Sequence, residues 1–525
     1  MIKRLLAIVF GLGLAAYPGF AQYGLFQPIP QLALSDVQKV IAQGVARAKV
    51  ISPDSVIAVV DREGFVCGVW SVNGTTPSQA VLAIAIGKAG TASFLSSDQH
   101  AFTSRTAGFI VQQNFPPNVQ NSGPGPLVGV NFSNLQFSDI NRIKGPGSIV
   151  TNVASPATSN YVVSVPQPVT GGLAGAPGGV PLYVSNYLVG GVGVSHMDDA
   201  TAIQNVQTPT IDEDVALAAE TDYSPDPIYF GSNDTINGFR LAYVSSTTSL
   251  GAVTPFASLP DQHVAPYAVM ASPPLFPYPT NTFGGQMCEI RQPIRDDPLV
   301  GNINGAARLT SNEVVGILSL AADRARTTRA GIRLPRGQAA QVFITVVNNP
   351  NIDGGTPVVL GTIRTKGATM FSWDVAVQKA RTAVFFSSTN YAFSARAVGF
   401  LAEEFFPPGL NGTEPGIFWG MQEHFSLFPA GAMNPLNGVV LSSALATPDP
   451  NLPNGITIFP GGFPLYRNGQ LIGAIGVSGD GVDQDDIITA SGTANFLAPV
   501  NIRSDHFFYS DARLPYAKFP RNPAL

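Results

Sequence analysis

Apolar residues recur at helical spacing in two distant parts of the chain, at Val37, Val40, Ile41, Gly44, Val45 and Ala48, and again at Val314, Ile317, Leu318 and Ala321. Steps of three and four predict two amphipathic helices. Each opens on a capping box, Ser35-Asp36-Val37-Gln38 and Thr310-Ser311-Asn312-Glu313, with a hydroxyl at the N-cap and an amide or carboxylate three residues later. Val56–Val60, the turn Asp61-Arg62-Glu63-Gly64 and Phe65–Trp70 then read as a hairpin, matched by Val342–Val347 and Val358–Ile363 around a turn carrying Asn348 and Gly355. Ala85, Lys88, Ala89 and Ala92, like Ala376, Lys379, Ala380 and Ala383, predict a second pair of helices. Another hairpin follows, Pro181–Val184 with Leu188–Val194, whose counterpart turns on Asn468-Gly469, the strongest short hairpin signal in the sequence. Final helices start at Asp212-Glu213-Asp214 and Asp483-Gln484-Asp485-Asp486, where acids suit the positive end of the helix dipole.

The two series are copies of one unit. Residues 87–117 align without gaps on 378–408 with 15 of 31 positions identical, and 178–195 align on 461–478 with 10 of 18. Two such blocks in the same order are a tandem duplication, not a solenoid of short repeats. Strands joined by hairpins imply antiparallel sheets, so the expected fold is α+β, with two modules each made of a sheet covered by helices. The expected layout is a first module over 30–225 with an inserted loop at 118–177, a Pro-rich joining segment over 226–304, and a second module over 305–498 with an insertion at 409–460. A tail over 499–525 ends the chain.

Composition sharpens this layout. Gly (54) and Pro (44) are in excess and charged residues make up only 12% of 525, while 45% hydrophobic content rules out highly charged disorder. Most of the Pro falls in the insertions and joining segment, which suits ordered wrapping loops. A net charge of -5, with 29 Lys and Arg thinly spread, excludes a nucleic-acid binder. Lys3 and Arg4, the apolar run Leu5–Ala16 and the small residues Gly19 and Ala21 read as a signal peptide over 1–21. The mature chain is then expected to be periplasmic or secreted, with no membrane span. Cys67 and Cys288 are the only cysteines, enough for one disulfide, although Cys67 lies in an apolar run that also suits a buried thiol.

A capped helix, a Val-rich strand ending in Asp, a Lys-Ala-x-Thr-Ala helix, Gly-Gly-x-Pro-Leu and Gly-x-x-Gly-Val-Ser together resemble the GlcG/HbpS-like haem-binding family. Here these are Val56–Asp61, Lys88–Ala92, Gly178–Leu182 and Gly190–Ser195, and in the second copy Lys379–Ala383, Gly461–Leu465 and Gly473–Ser478. The resemblance implies an α+β module that forms dimers or larger oligomers and, in some members, binds haem. A tandem chain then looks like an internal pseudo-dimer using one patch symmetrically, open to further homo-oligomerisation.

Candidate ligand contacts follow. Lys88 and Lys379 lie in apolar helices and could pair with a haem propionate, or could snorkel to a carbonyl. Thr91 and Thr382 recur beside them. Gly178, Gly179, Pro181 and Gly461, Gly462, Pro464 could let backbone N–H groups approach an anion, or serve as a tight entry to a strand. Arg105 and Arg396 could clamp a ligand or form helix-end ion pairs. His100 aligns with Tyr391, both side chains known to ligate haem iron, and His196 is a further metal candidate. No Ser/His/Asp order, zinc spacing or paired general acid and base stands out, so binding of a small molecule such as haem is expected rather than catalysis. The alternative is a structural protein whose modules are scaffolds for Pro-rich contact loops.

Overall fold

The computed structural model describes residues 30–111, 115–117, 119, 125–127, 149–151, 160–162, 173–196, 209–273, 278–352, 355–419 and 456–518. The expected signal peptide lies outside these residues, as does most of each insertion. In the first module α1 (Leu34–Ile51), β1 (Val56–Asp61), β2 (Val66–Ser71), α2 (Gln79–Leu95), α3 (Ser104–Ile110), β3 (Gly179–Val184), β4 (Tyr187–Ser195) and α4 (Ile211–Glu220) follow the expected order. In the joining segment come β5 (Thr280–Phe283) and β6 (Gln286–Gln292). The second module holds α5 (Ser311–Thr327), β7 (Phe343–Asn348), β8 (Val359–Thr365), α6 (Phe371–Phe385), α7 (Ala395–Phe400), β9 (Gly462–Arg467), β10 (Gln470–Ser478) and α8 (Val482–Gly492). The fold is α+β with two tandem modules, as read from the pattern.

The first sheet is antiparallel with strand order β2-β1-β4-β3. Alternation along β1 splits its core: Ile57 and Val59 join Val37, Val40 and Val215 under α1 and α4, whereas Val56, Ala58 and Val60 meet Val81, Ala85 and Ala89 of α2. The sheet is therefore sandwiched between helices. Glycines in β4 let α2 come close, since a Cβ at Gly193 would sit 2.2 Å from the Ala85 carbonyl oxygen. Pro181 and Pro464 lie on the edge strands β3 and β9, where a missing N–H leaves no ladder bond unmade.

Two features depart from expectation. The first helix begins at Leu34, so Ser35 is inside it; Ala33 is the N-cap and Asp36 Oδ2 accepts its N–H at 2.8 Å. The Thr310/Glu313 box forms as read. The joining segment, read as a wrapping loop, contributes β5 and β6 to the second sheet, whose order is β9-β10-β7-β8-β6-β5. Its earlier part runs along the outer edge of β2, with Val264 N–H donating to Val69 O and Met270 N–H to Cys67 O. One segment thus covers the open edge of both sheets. Cys67 and Cys288 are both buried and unbonded to each other.

The duplication also extends further than the aligned blocks. Residues 227–243 and 500–516 adopt the same sequence of turns, each with two short 3-10 helices and a two-residue hairpin. Ala101 bridges Phe230 as Ala392 bridges Arg503, and Leu241 N–H donates to Asp234 O as Leu514 N–H donates to Phe507 O. The start of the joining segment and the tail are equivalent caps.

The modules pack on each other through a shared core in which Phe94, Phe102 and Ile110 meet Phe343, Phe371 and Trp373. Leu334 N–H donates to Gln99 O, and Arg333 reaches Ser97 Oγ and Gln99 Oε1 at 3.1 Å. The expected symmetric patch is not used. Phe94 is fully buried in the joint core, whereas its repeat partner Phe385 is 40% exposed. Arg333 and Leu334 sit in a loop between α5 and β7 that is much longer than its counterpart between α1 and β1, so the second module has a contact surface the first lacks.

Candidate functional site

The repeated basic residues have internal partners. In the first module Lys88 Nζ donates to Asp212 Oδ2 at 2.7 Å and to Val194 O at 2.9 Å; in the second, Lys379 Nζ does the same to Asp485 Oδ2 and Val477 O at identical distances. Both lysines are almost completely buried. They join the helix under the sheet to the acidic first turn of the last helix. Arg105 grips Glu213 through two hydrogen bonds of 2.6 and 3.0 Å, and Arg396 grips Asp486 and Asp483 at 2.8 and 2.7 Å. Thr91 and Thr382 bond the carbonyl one turn back and accept from the backbone N–H of Ala174 and Thr457 in the chain leading to β3 and β9. These groups form a brace between helices, and the acids expected only to suit a helix dipole are the other half of it.

The Gly-Gly pairs belong to the same brace. Gly178 and Gly461 have φ of 117° and 111°, a conformation that favours glycine. A Cβ on Gly179 or Gly462 would lie 2.2 Å from the carbonyl oxygen of Lys88 or Lys379. Gly179 N–H is taken by Ser104 Oγ and Gly461 N–H by Asp486 Oδ1. The close approach is thus to the protein's own helix.

The aligned pair His100 and Tyr391 separates. His100 is fully buried, with Nδ1 3.0 Å from Ser97 Oγ and Nε2 2.8 Å from Leu95 O. Burial, with Arg333 nearby, pushes its pKa down to about 3, so the ring is neutral. Tyr391 is 50% exposed, its ring 5.5 Å from Phe507 and 6.5 Å from Phe393. With the exposed Phe508 nearby in sequence these rings make an aromatic corner open to solvent. The contact between modules covers this corner in the first copy and leaves it bare in the second.

His196 is a third case. Its Nδ1 lies 2.9 Å from Asp212 Oδ1, completing a Lys88–Asp212–His196 chain. The repeat partner of His196 is Gly479, and Asp485 Oδ1 is buried with no hydrogen bond of normal distance and angle. Burial pushes Asp485 up to about 6, opposed by Lys379. Among the described residues no group of three His, Cys, Asp or Glu could hold a bare metal ion.

A family model described as haem degrading protein HbpS-like matches residues 32–207 and 328–494. The chain belongs to the HbpS-like family. The two matched regions run from α1 to β4 and from β7 to α8, and α4, α5, the 3-10 caps and the strands β5 and β6 lie outside them. The chain is similar to a solved PduOC–haem complex at 23% identity, over 37% of this chain and 98% of that one, with a TM-score of 0.22. It is similar to the Klebsiella pneumoniae protein ORFY at 20% identity, over 37% and 95%, TM-score 0.22, and to a doubly substituted HbpS of Streptomyces reticuli at 18% identity, over 38% and 96%, TM-score 0.22. No curated protein matches the chain. Among the described residues no helix is long and apolar enough to cross a membrane.

Proposed function

We propose that this protein is an exported haem-binding protein, or a binder of a related tetrapyrrole, that uses its second HbpS-like module. The observation that carries the reading is the open aromatic corner at Tyr391. A phenol oxygen is an established ligand for haem iron, and neighbouring Phe rings offer a flat apolar surface to the porphyrin face. The absence of a multi-residue metal cluster among the described residues suits a metal that brings its own macrocycle and needs one side chain. His100, its counterpart in the first copy, has both ring nitrogens engaged inside the contact between modules and is not free to ligate iron. Family membership supports the same ligand class, and the basic and apolar residues before Gln22 support export.

Titration of the purified protein with haem tests this directly. We expect a Soret band that saturates at a single haem per chain, with a spectrum changed and an affinity lowered by Tyr391→Phe and left alone by His100→Gln. No Soret band at micromolar haem would discard the reading. In that event the scaffold role, favoured by a joining segment that bonds to both sheets, becomes the better account.

A further inference from the structure

The two copies of the brace differ by one group. In the first module Asp212 accepts from Lys88 with one carboxylate oxygen and from the His196 imidazole with the other. In the second, Asp485 accepts from Lys379 with Oδ2, while Oδ1 is buried with no hydrogen bond of normal distance and angle, the Gly479 backbone N–H lying close enough to lower the carboxyl's pKa as a weak donor. A buried charged acceptor with so weak a donor is costly. The position that supplies the imidazole in the first copy is glycine here.

Among the described residues a cavity lies beside Asp485. It measures about 50 Å³ and has Lys379, Asp485 and Gly479 at its polar end and Phe102, Ile110, Ile332, Phe371, Val375 and Phe459 around it. Through Phe459, Val482 and Pro126 it adjoins a wider cleft of about 300 Å³ that contains Arg396 and Glu403. The inner space exceeds what one water needs, and the wider cleft reaches the lower range of small-molecule sites. Apolar walls with a single unmet acceptor at one end select a flat molecule carrying one N–H donor.

We propose that this cavity binds a small N–H azole, whose ring edge donates to Asp485 and completes from outside the Lys–Asp–imidazole chain that the first module carries in its own sequence. The body of the ligand, and any substituent, lies between Phe459 and Val482 toward the Arg396 and Glu403 cleft. The site is separate from Tyr391, which lines neither space.

The probe is pyrazole against 1-methylpyrazole, which has nearly the same shape and no N–H, titrated calorimetrically into haem-free protein. Pyrazole is expected to bind, and 1-methylpyrazole to bind at least about tenfold more weakly, the worth of a hydrogen bond to a charged acceptor. Val482→Trp, which closes the passage between the two spaces, is expected to abolish binding while the protein still melts cooperatively. Asp485→Asn strips Lys379 of its partner and risks unfolding, so the test does not depend on it. Equal affinity for the two probes, unchanged pyrazole binding in Val482→Trp, or no binding of pyrazole at millimolar concentration would each overturn the proposal. None of these results touches the haem reading, which is tested by the Soret titration.

Discussion

At the residue scale, the recurrence of Lys, Arg, Thr and Gly was visible in the sequence, but the partners that give them their role were not. Lys379 is 106 positions from Asp485, and both belong to short helices whose docking only the folded sheet determines. Removing one partner of such a pair leaves an uncompensated charge in the core, so Lys379→Met is expected to cost about 3–5 kcal/mol in chemical denaturation. The double change Lys379→Met with Asp485→Leu should recover much of that loss, because desolvation of both charges disappears together. A second expectation concerns pH. The native pKa of His100, about 3, lies below its unfolded value of 6.5, so the unfolded chain binds the proton first, and this contribution to stability is lost as pH falls from 6.5 toward 3. Glu220 runs the other way, since burial raises it from 4.5 to about 8 and its penalty grows as pH rises between those values. Denaturation midpoints across a pH series should therefore show a flatter acid limb in His100→Gln and a flatter alkaline limb in Glu220→Gln. The alignment of His100 with Tyr391 was legible as a shared position, yet burial by a neighbouring module decides which one meets solvent.

At the element scale the hydrophobic pattern was a good guide, because each hairpin and helix had its own periodicity and turn chemistry. It failed where the signal is held by backbone geometry. The capping hydroxyl at Ser35 lost to Asp36, which reaches the Ala33 N–H from one residue further on and starts the helix earlier. The repeated 3-10 caps share only Arg, Leu and Tyr at 240, 241 and 243 with 513, 514 and 516, so the duplication there shows in hydrogen bonds and scarcely in identities. β5, at the edge of the sheet, and its neighbour β6 are of mixed polarity, Thr-Asn-Thr-Phe and Gln-Met-Cys-Glu-Ile-Arg-Gln, and lack the apolar run that marks β7 or β10. The Gly-Gly pairs, which the sequence allows as ligand contacts or as a strand entry, stand at a strand entry, and the structure supplies its cause. Gly462→Ala would drive a methyl into the Lys379 carbonyl, 2.2 Å from the new carbon, so β9 must shift away from α6. We expect a loss of more than about 2 kcal/mol on thermal or chemical unfolding, against about 1 kcal/mol for alanine at Gly469 or Gly412, where a Cβ meets nothing and only the positive φ opposes it.

At the scale of the whole molecule, duplication gave two modules, but not how they meet. A gene-doubled pair could retain a twofold contact; here the loop between α5 and β7 and the strands β5 and β6 supply surfaces found on one copy only, and the contact joins unlike faces. Its polar centre is a buried set of four charges. Arg291 of β6 lies 2.9 Å from Glu63 in the β1–β2 turn of the first module and 2.6 Å from Glu289, while Arg364 of β8 lies within 4 Å of both acids. The Arg291 guanidinium also stacks 3.8 Å from the Tyr278 ring. Glu63 is the first module's sole acid in this set, and its charge adds an ion pair across the seam to the apolar core and the Arg333 and Leu334 hydrogen bonds. With Glu63→Gln the two arginines would face Glu289 alone, leaving a buried positive charge unbalanced at the seam. We expect a loss on the order of 3 kcal/mol, and because the seam is the weakened part, unfolding that is expected to be one transition in the unsubstituted protein should split in two. Glu313→Gln, which breaks the partly exposed pair with Arg467 inside the second module, should cost about 1 kcal/mol or less and leave the transition single. Scanning calorimetry separates these outcomes, and a single unshifted transition in Glu63→Gln would mean that the apolar core around Phe94, Phe343 and Trp373 holds the modules together without help from the charges.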